Sequence, residues 1–472
     1  MKKTVANTVP MSKKIFFGLG MLAMQMFPAA LGVFMVVLIQ DFGFDPLMWG
    51  LIFFLPRVID AVTDPVMGFI SDNTKSKWGR RRQYIFVGAL IMGASFIAMW
   101  QIYPENGLSF NFWYFLLLSV LFYLGLTIFS VPYVALGYEM STDFHERTRI
   151  MAVSQWISQW AWVIVPWFWI IIYDDSWFSS PESGTRTLAI YVSVFCTLIA
   201  LVPALFIKGK SSLNDDTLVS ITFNNIKNNL STLVKGFKDA ANNRPFVRLC
   251  AATFFIFNSF QTIAAFSFFI IVYYLFQGDA NAAGVWPTLH GSVGALVTTF
   301  LVIPIVTKMS ERLGKKKTFM ISQAISVLGY ILFWFLFIPG KPYAFLFALP
   351  LFSFGIGGLF TLMMSMTADT CDLDELNNGL PRKEATFGAL YWWMVKFGTA
   401  LAGLFSGIIM SAVGFDASLP EQTDTAMTGL RIFYTVLPVI GTCIAIYVMK
   451  NYEINESSAK EVSEILAKRN NK

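Results

Sequence analysis

Histidine and cysteine are scarce in this chain. Its 472 residues include two histidines and four cysteines, and neither type is arranged for chemistry. Cys196, Cys250, Cys371 and Cys443 stand far apart with no Cys-x-x-Cys spacing, which excludes a zinc ribbon or a dithiol redox pair. His145 and His290 lie alone at loop edges, so imidazole acid–base work has no partner set. Charge is sparse too, at 14% of residues, against about a quarter in soluble domains. With no nucleophile–base pair, metal cluster or appended catalytic domain, the chain is not expected to be an enzyme, and no cofactor is expected.

What the sequence has instead is apolar length. It is 56% hydrophobic, with a mean hydropathy of +0.59, and it reads as twelve apolar stretches, each near the ~20 residues needed to cross a bilayer. The expected class is an all-α integral membrane protein. The first run, Ile15 to Ile39, is too long for a signal-peptide core and no small-residue cleavage site follows it, so it reads as a retained helix. The net charge of +6 is a matter of topology. Lys2/Lys3/Lys13/Lys14, Lys75 to Arg82, Arg147/Arg149, Lys208 to Arg248, Lys308 to Lys317, Arg382/Lys383 and the tail fall on one side if both termini are cytoplasmic. Basic residues spread over loops in this way do not suit nucleic acid.

The long polar stretch after the sixth run divides the chain. We read residues 1–207 as one six-helix bundle, 208–245 as a cytoplasmic linker with a part lying on the membrane surface, 246–450 as a second bundle and 451–472 as a soluble tail. A weak internal repeat supports two related halves. Asp72 precedes Gly79-Arg80-Arg81-Arg82, and Glu311 precedes Gly314-Lys315-Lys316-Lys317, in corresponding loops.

The most telling charges lie inside the second apolar run, LMWGLIFFLPRVIDAVTDPVMGFIS. Arg57, Asp60 and Asp64 are spaced by three and four residues, which puts them on one helical face. Each charge at the bilayer centre costs about 2.5–3.5 kcal/mol, so three cost roughly 8–10 kcal/mol unless they pair or bind something. One Arg and two Asp leave a local charge of −1, which suits one monovalent cation. Asp60 and Asp64 offer hard oxygens one turn apart for Na⁺, and protonating one of them is the alternative. A structural Arg57–Asp60 pair is the plainer possibility, but it leaves Asp64 unexplained. Lys396, in the eleventh run, could neutralise an empty carboxylate pair and be displaced by the cation.

These residues carry a family resemblance. Gly68, Asp72, Gly79, Arg80 and Arg81 resemble the loop motif of the major facilitator superfamily. The pattern R-x-x-D-A-x-x-D-P-x-M-G-x-I followed by S-x-W-G-R resembles, more narrowly, the glycoside–pentoside–hexuronide:cation symporters of the melibiose permease type. Gly18/Gly20, Val131-Pro132-Tyr133, Glu146-Arg147, the run Met366 to Asp372 and Glu384 to Lys396 extend the likeness along most of the chain. The resemblance implies twelve transmembrane helices in two pseudo-symmetric six-helix bundles, the major facilitator fold. It also implies that Asp60 and Asp64 hold the coupling cation with Thr127, that Lys396 stands near the cation and sugar sites, and that a sugar, glycoside or uronide is carried with Na⁺ or H⁺. Thr63 replaces an amide of the melibiose permease, which leaves the choice of cation open.

Sugars need aromatic faces and hydrogen-bonding side chains. The candidates are Gln25, Ser130, Tyr133, Gln155, Gln159 and Trp392, since polar groups in lipid are costly unless they face a cavity. Gln25, Ser130 and Gln155 are neutral at positions that are charged in the melibiose permease, so the sugar is expected to differ from melibiose. We expect a monomeric symporter of the plasma membrane. The alternatives are a carrier of a lysolipid-like amphiphile and, more remotely, a membrane sensor or enzyme.

Overall fold

The computed structural model describes residues 8–141, 144–209, 211–213, 218–378, 384–416, 419, 421–454 and 456–470. Lys2, Lys3, Arg382 and Lys383 lie outside these, as does part of the expected linker. Among the described residues there are twelve helices long and apolar enough to cross a membrane, and no strand beyond an isolated bridge between Ile338 and Lys341.

The chain divides into two compact units, Met1–Leu230 and Ser231–Lys472. The first holds α1 (Met11–Gln40), α2 (Pro46–Asp72), α3 (Arg82–Met99), α4 (Leu108–Glu139), α5 (Arg149–Tyr173) and α6 (Pro181–Phe206). An amphipathic helix, α7 (Phe223–Ala241), follows. The second unit holds α8 (Arg244–Leu275), α9 (Ala280–Leu313), α10 (Lys315–Leu336), α11 (Pro342–Asn377), α12 (Thr386–Ala412) and α13 (Asp424–Lys450), and ends in α14 (Glu456–Asn470).

Local chemistry starts these helices. Asp45 caps α2 by accepting from Leu47 N at 2.7 Å, with Pro46 in the first turn. Ser180 with Pro181 does the same for α6, and Asn243 with Pro245 for α8. A side-chain oxygen satisfies an orphan N–H, and proline occupies a position whose N–H has no partner.

Packing repeats between the units. In the first, α3 lies on α4 and α6, α1 on α5 and α6, and α2 on α4; in the second, α10 lies on α11 and α13, α8 on α12 and α13, and α9 on α11. Gly88 lets α3 approach α4 so closely that a Cβ there would sit 2.4 Å from Phe129 N, and Gly329 does the same for α10 against Phe352 N.

The ion pairs at the end where each unit's first helix begins repeat as well. Gly79 and Gly314 both have positive φ, 86° and 79°. Arg81 bridges Asp72 at 2.8 Å and Glu139 at 2.9 Å, with Arg80 joining Glu139 at 2.7 Å. Lys315 correspondingly bridges Asp369 at 2.6 Å. Arg82 donates to Ala204 O at 2.6 Å and Lys316 to Tyr452 O at 2.7 Å, so each ties the third helix of its unit to the end of the sixth. At the opposite end, Arg186 donates to Ile102 O and lies over Tyr103 at 4.5 Å, while Arg431 donates to Trp334 O and lies over that ring at 4.5 Å and over Tyr274 at 3.9 Å.

The tail is part of the second unit's core. Tyr452 and Ile454 are buried among residues of α8, α10 and α11, and α14 packs on α11. The tail sequence reads as a soluble segment, and its few apolar side chains dock on the second unit. Ala240 of α7 is buried with Phe246, Cys250, Cys371 and Phe387.

Candidate functional site

Helix α2 carries two prolines in its interior. Pro56 and Pro65 each lack an N–H, which leaves the carbonyls of Ile52 and Ala61 without their usual helical donors. Between the two prolines the face carrying Arg57, Asp60 and Asp64 turns toward α4. There Thr127, only 1% exposed, meets it.

Four oxygen-bearing side chains converge. Thr127 Oγ1 lies 2.5 Å from Asp60 Oδ1 and 3.1 Å from Asp64 Oδ1. Thr63 Oγ1 is 3.4 Å from Thr127 Oγ1 and donates to the Asp60 carbonyl at 3.1 Å. Asp60 is 4% exposed. The Thr127 hydroxyl has a single hydrogen, so it can serve only one carboxylate at a time. A cation or an extra proton among these oxygens could be shared by both carboxylates, since hard oxygens suit a small cation.

Arg57 has an aromatic seat on the same face of α2. Its guanidinium donates to Phe53 O at 2.6 Å, stacks 3.4 Å above the Phe53 ring and lies 5.1 Å from that of Tyr123. This aromatic seat keeps a positive charge within one turn of Asp60 and about two turns of Asp64.

The sugar candidates divide by element. Gln25 on α1, Ser130 on α4 and Gln159 on α5 are half-buried, and Gln155 on α5 is exposed. Trp392, 45% exposed, and the half-buried Lys396 lie on α12 in the second unit. Tyr133 requires a correction. It is fully buried, its hydroxyl donates to Phe17 O, and its ring stacks on Phe17 at 4.5 Å and Phe129 at 5.3 Å, so it packs α4 against α1 and offers no face to a solute. In the loop motif, Gly68 lies near Val131 of α4, and Asp72, Gly79, Arg80 and Arg81 form the brace described above.

One feature was not anticipated from the sequence. Glu146 receives Lys14 Nζ at 2.7 Å and the Val9 N–H at 2.9 Å, with both Lys14 and Glu146 buried. Hydrogen bonding to Lys14 holds its carboxyl below the usual range. A lysine next to the first span reads like any other anchoring charge, and only the pairing sets it apart.

The profile of the MFS/sugar transport proteins, a family of the glycoside–pentoside–hexuronide type, matches residues 16–456. This chain belongs to that family. It is 26% identical over 419 residues to a glucuronide carrier protein homolog of Escherichia coli K12, covering 88% of this chain and 86% of that one. It is 21% identical over 473 residues to an isoprimeverose transporter of Lactiplantibacillus pentosus, covering 97% and 92%. Among solved structures, a bacterial homolog of the human lysosomal transporter Spinster superposes with a TM-score of 0.66 at 14% identity, covering 94% of this chain and 96% of that one. As a member of the family, the chain has the major facilitator fold and is a multi-pass membrane protein.

Proposed function

We propose that this protein is a cation-coupled symporter that carries a sugar, glycoside or uronide into the cell, with Asp60, Asp64, Thr63 and Thr127 holding Na⁺ or H⁺. The observation that carries this reading is the convergence of two carboxylates and two hydroxyls between α2 and α4, inside helices that are otherwise apolar. The names of the relatives, a glucuronide carrier homolog and an isoprimeverose transporter, support a sugar-like substrate. The distribution of Lys and Arg supports both termini in the cytoplasm of a plasma-membrane protein.

In this mechanism the substrate site faces each side of the membrane in turn. The charge of the empty site is offset by Arg57. The cation replaces that charge, and Gln25, Ser130, Gln155 and Gln159 of the first unit provide sugar contacts. Only the empty and doubly loaded forms change sides readily. One cation moving down 100 mV supplies ~2.3 kcal/mol, enough for roughly forty-fold accumulation at 1.4 kcal/mol per tenfold.

The test is uptake of a labelled sugar panel into vesicles under imposed Na⁺ and H⁺ gradients, comparing wild type with Asp64→Cys. Gradient-driven accumulation that disappears in the variant supports the reading and names cation and substrate together. Equal accumulation by the variant removes Asp64 from the coupling site.

A further inference from the structure

Tyr133 and Pro132 belong to a sequence pattern that the transport cycle above does not use. Both lie on α4 less than two turns beyond Thr127. Pro132 lacks an N–H, so the Ile128 carbonyl loses its helical donor, and α4 is weakened between Thr127 and Tyr133. A helix gapped there does not by itself fix the orientation of Thr127 relative to the rest of α4.

Other contacts span the gap. The Tyr133 hydroxyl donates to the Phe17 carbonyl on α1, and its ring lies nearly parallel to Phe17 on one side and Phe129 on the other, at 11° in both cases. Phe129 stands on the Thr127 side of the proline, with its backbone held against Gly88 of α3. Gly20 of α1 makes room for Tyr133, since a Cβ there would lie 2.5 Å from the ring carbon Cε2 and 2.6 Å from Pro203 of α6. The stack therefore joins α1, α3 and both halves of α4, and ends two residues from the hydroxyl that meets Asp60 and Asp64.

We infer that Tyr133 is a positioning residue for the cation site: clasped to the Phe17 carbonyl and seated on Gly20, it holds the Thr127 segment of α4 against the carboxylates of α2. This rests on the assignment of the cation to Asp60 and Asp64. Tyr133 contacts neither cation nor sugar and acts through Thr127. The Tyr133→Phe variant keeps the ring and loses the clasp. Gly20→Ala keeps the hydroxyl and pushes on the ring.

The test uses the purified full chain. The half-saturating cation activity is taken from Na⁺ titrations, and from pH titrations in Na⁺-free buffer, both followed by intrinsic tryptophan fluorescence. Tyr133→Phe and Gly20→Ala are each expected to weaken half-saturation several-fold, while the melting temperature shifts by no more than a few degrees. In a Thr127→Val background, Tyr133→Phe is expected to add nothing further, because residues acting through one another are not additive. The inference is overturned if Tyr133→Phe leaves half-saturation unchanged, or if it weakens it by the same factor with and without the Thr127 hydroxyl. Asp64→Asn, measured in parallel, separates the two readings. If it still responds to cation as wild type does, the site assignment falls and the positioning role with it. If it loses the response while Tyr133→Phe is silent, the positioning role alone falls.

Discussion

Replacing Thr127 with valine removes one hydroxyl and keeps the side chain's shape. In the structure that hydroxyl lies 2.5 Å from Asp60 Oδ1 and 3.1 Å from Asp64 Oδ1, at a residue 1% exposed, so water has little room to take its place. A hydrogen bond to a charged group contributes about 1.5–3 kcal/mol. A ligand oxygen withdrawn from a buried cation should cost a similar amount, which at 1.4 kcal/mol per tenfold is a roughly ten- to hundredfold loss of cation affinity. Thr127→Ser keeps the oxygen and should stay within about threefold of wild type, a difference of under 1 kcal/mol on the same scale. The assay is sugar uptake by reconstituted vesicles at rising Na⁺ and at falling pH. The half-maximal cation concentration should rise in Thr127→Val, while the rate at saturating cation changes less. An unchanged half-maximal concentration in the valine variant would refute the reasoning, because the hydroxyl would then have no part in binding the cation.

Three further outcomes follow from the structure. A Cβ at Gly88 or Gly329 meets a backbone nitrogen at 2.4 Å, whereas one at Gly32 has nothing within 4 Å; alanine at the first two should cost about 1–3 kcal/mol by overpacking, read as a lower melting temperature in detergent, and alanine at Gly32, inside α1, should not lower it, because helical glycine is about 1 kcal/mol worse than alanine. Tyr452→Ala removes a ring only 2% exposed that anchors the tail, so a loss of roughly 3–5 kcal/mol is expected by analogy with large-to-small aromatic substitutions, visible as thermal destabilisation and as earlier proteolysis of α14. Just past the end of α1, burial raises the Asp41 carboxyl to about 7, although the Tyr173 hydroxyl 2.5 Å away pulls it down. The folded chain then holds this proton more tightly than the unfolded chain, so its contribution to stability falls as pH climbs from about 4 to about 7 and levels off above. The wild-type minus Asp41→Asn difference in melting temperature should show that slope, and a flat difference would contradict it.

The parts of this molecule legible in its sequence are those the bilayer makes expensive. Arg57, Asp60 and Asp64 stand out because charge inside an apolar run is costly, and their spacing alone places them on one face of α2. The glycine-plus-triplet repeat at Gly79–Arg82 and Gly314–Lys317 is visible because lysine and arginine mark one side of the membrane. Backbone acceptors are what the sequence hides. Arg186 and Arg431 look like stray charges until Ile102 O and Trp334 O are seen to receive them. Lys316 likewise reads as an anchor until it is found on Tyr452 O. Aromatic residues are ambiguous for a different reason: a ring that packs helices and one that meets a sugar have the same letter. Tyr133 was read as a sugar contact on that basis, and only Gly20, the Phe17 carbonyl and the Phe129 ring assign it to packing.

The central claim is that one cation, held by Asp60 and Asp64, is linked to sugar binding. The most direct test is equilibrium binding to the purified protein, with sugar affinity measured as a function of Na⁺ and pH and cation affinity measured as a function of sugar. Linkage requires each ligand to raise the other's affinity by the same factor. The account predicts that reciprocity in wild type and its loss in both Asp60→Asn and Asp64→Asn. Sugar affinity that is identical with and without cation, or coupling that survives in both variants, would contradict it.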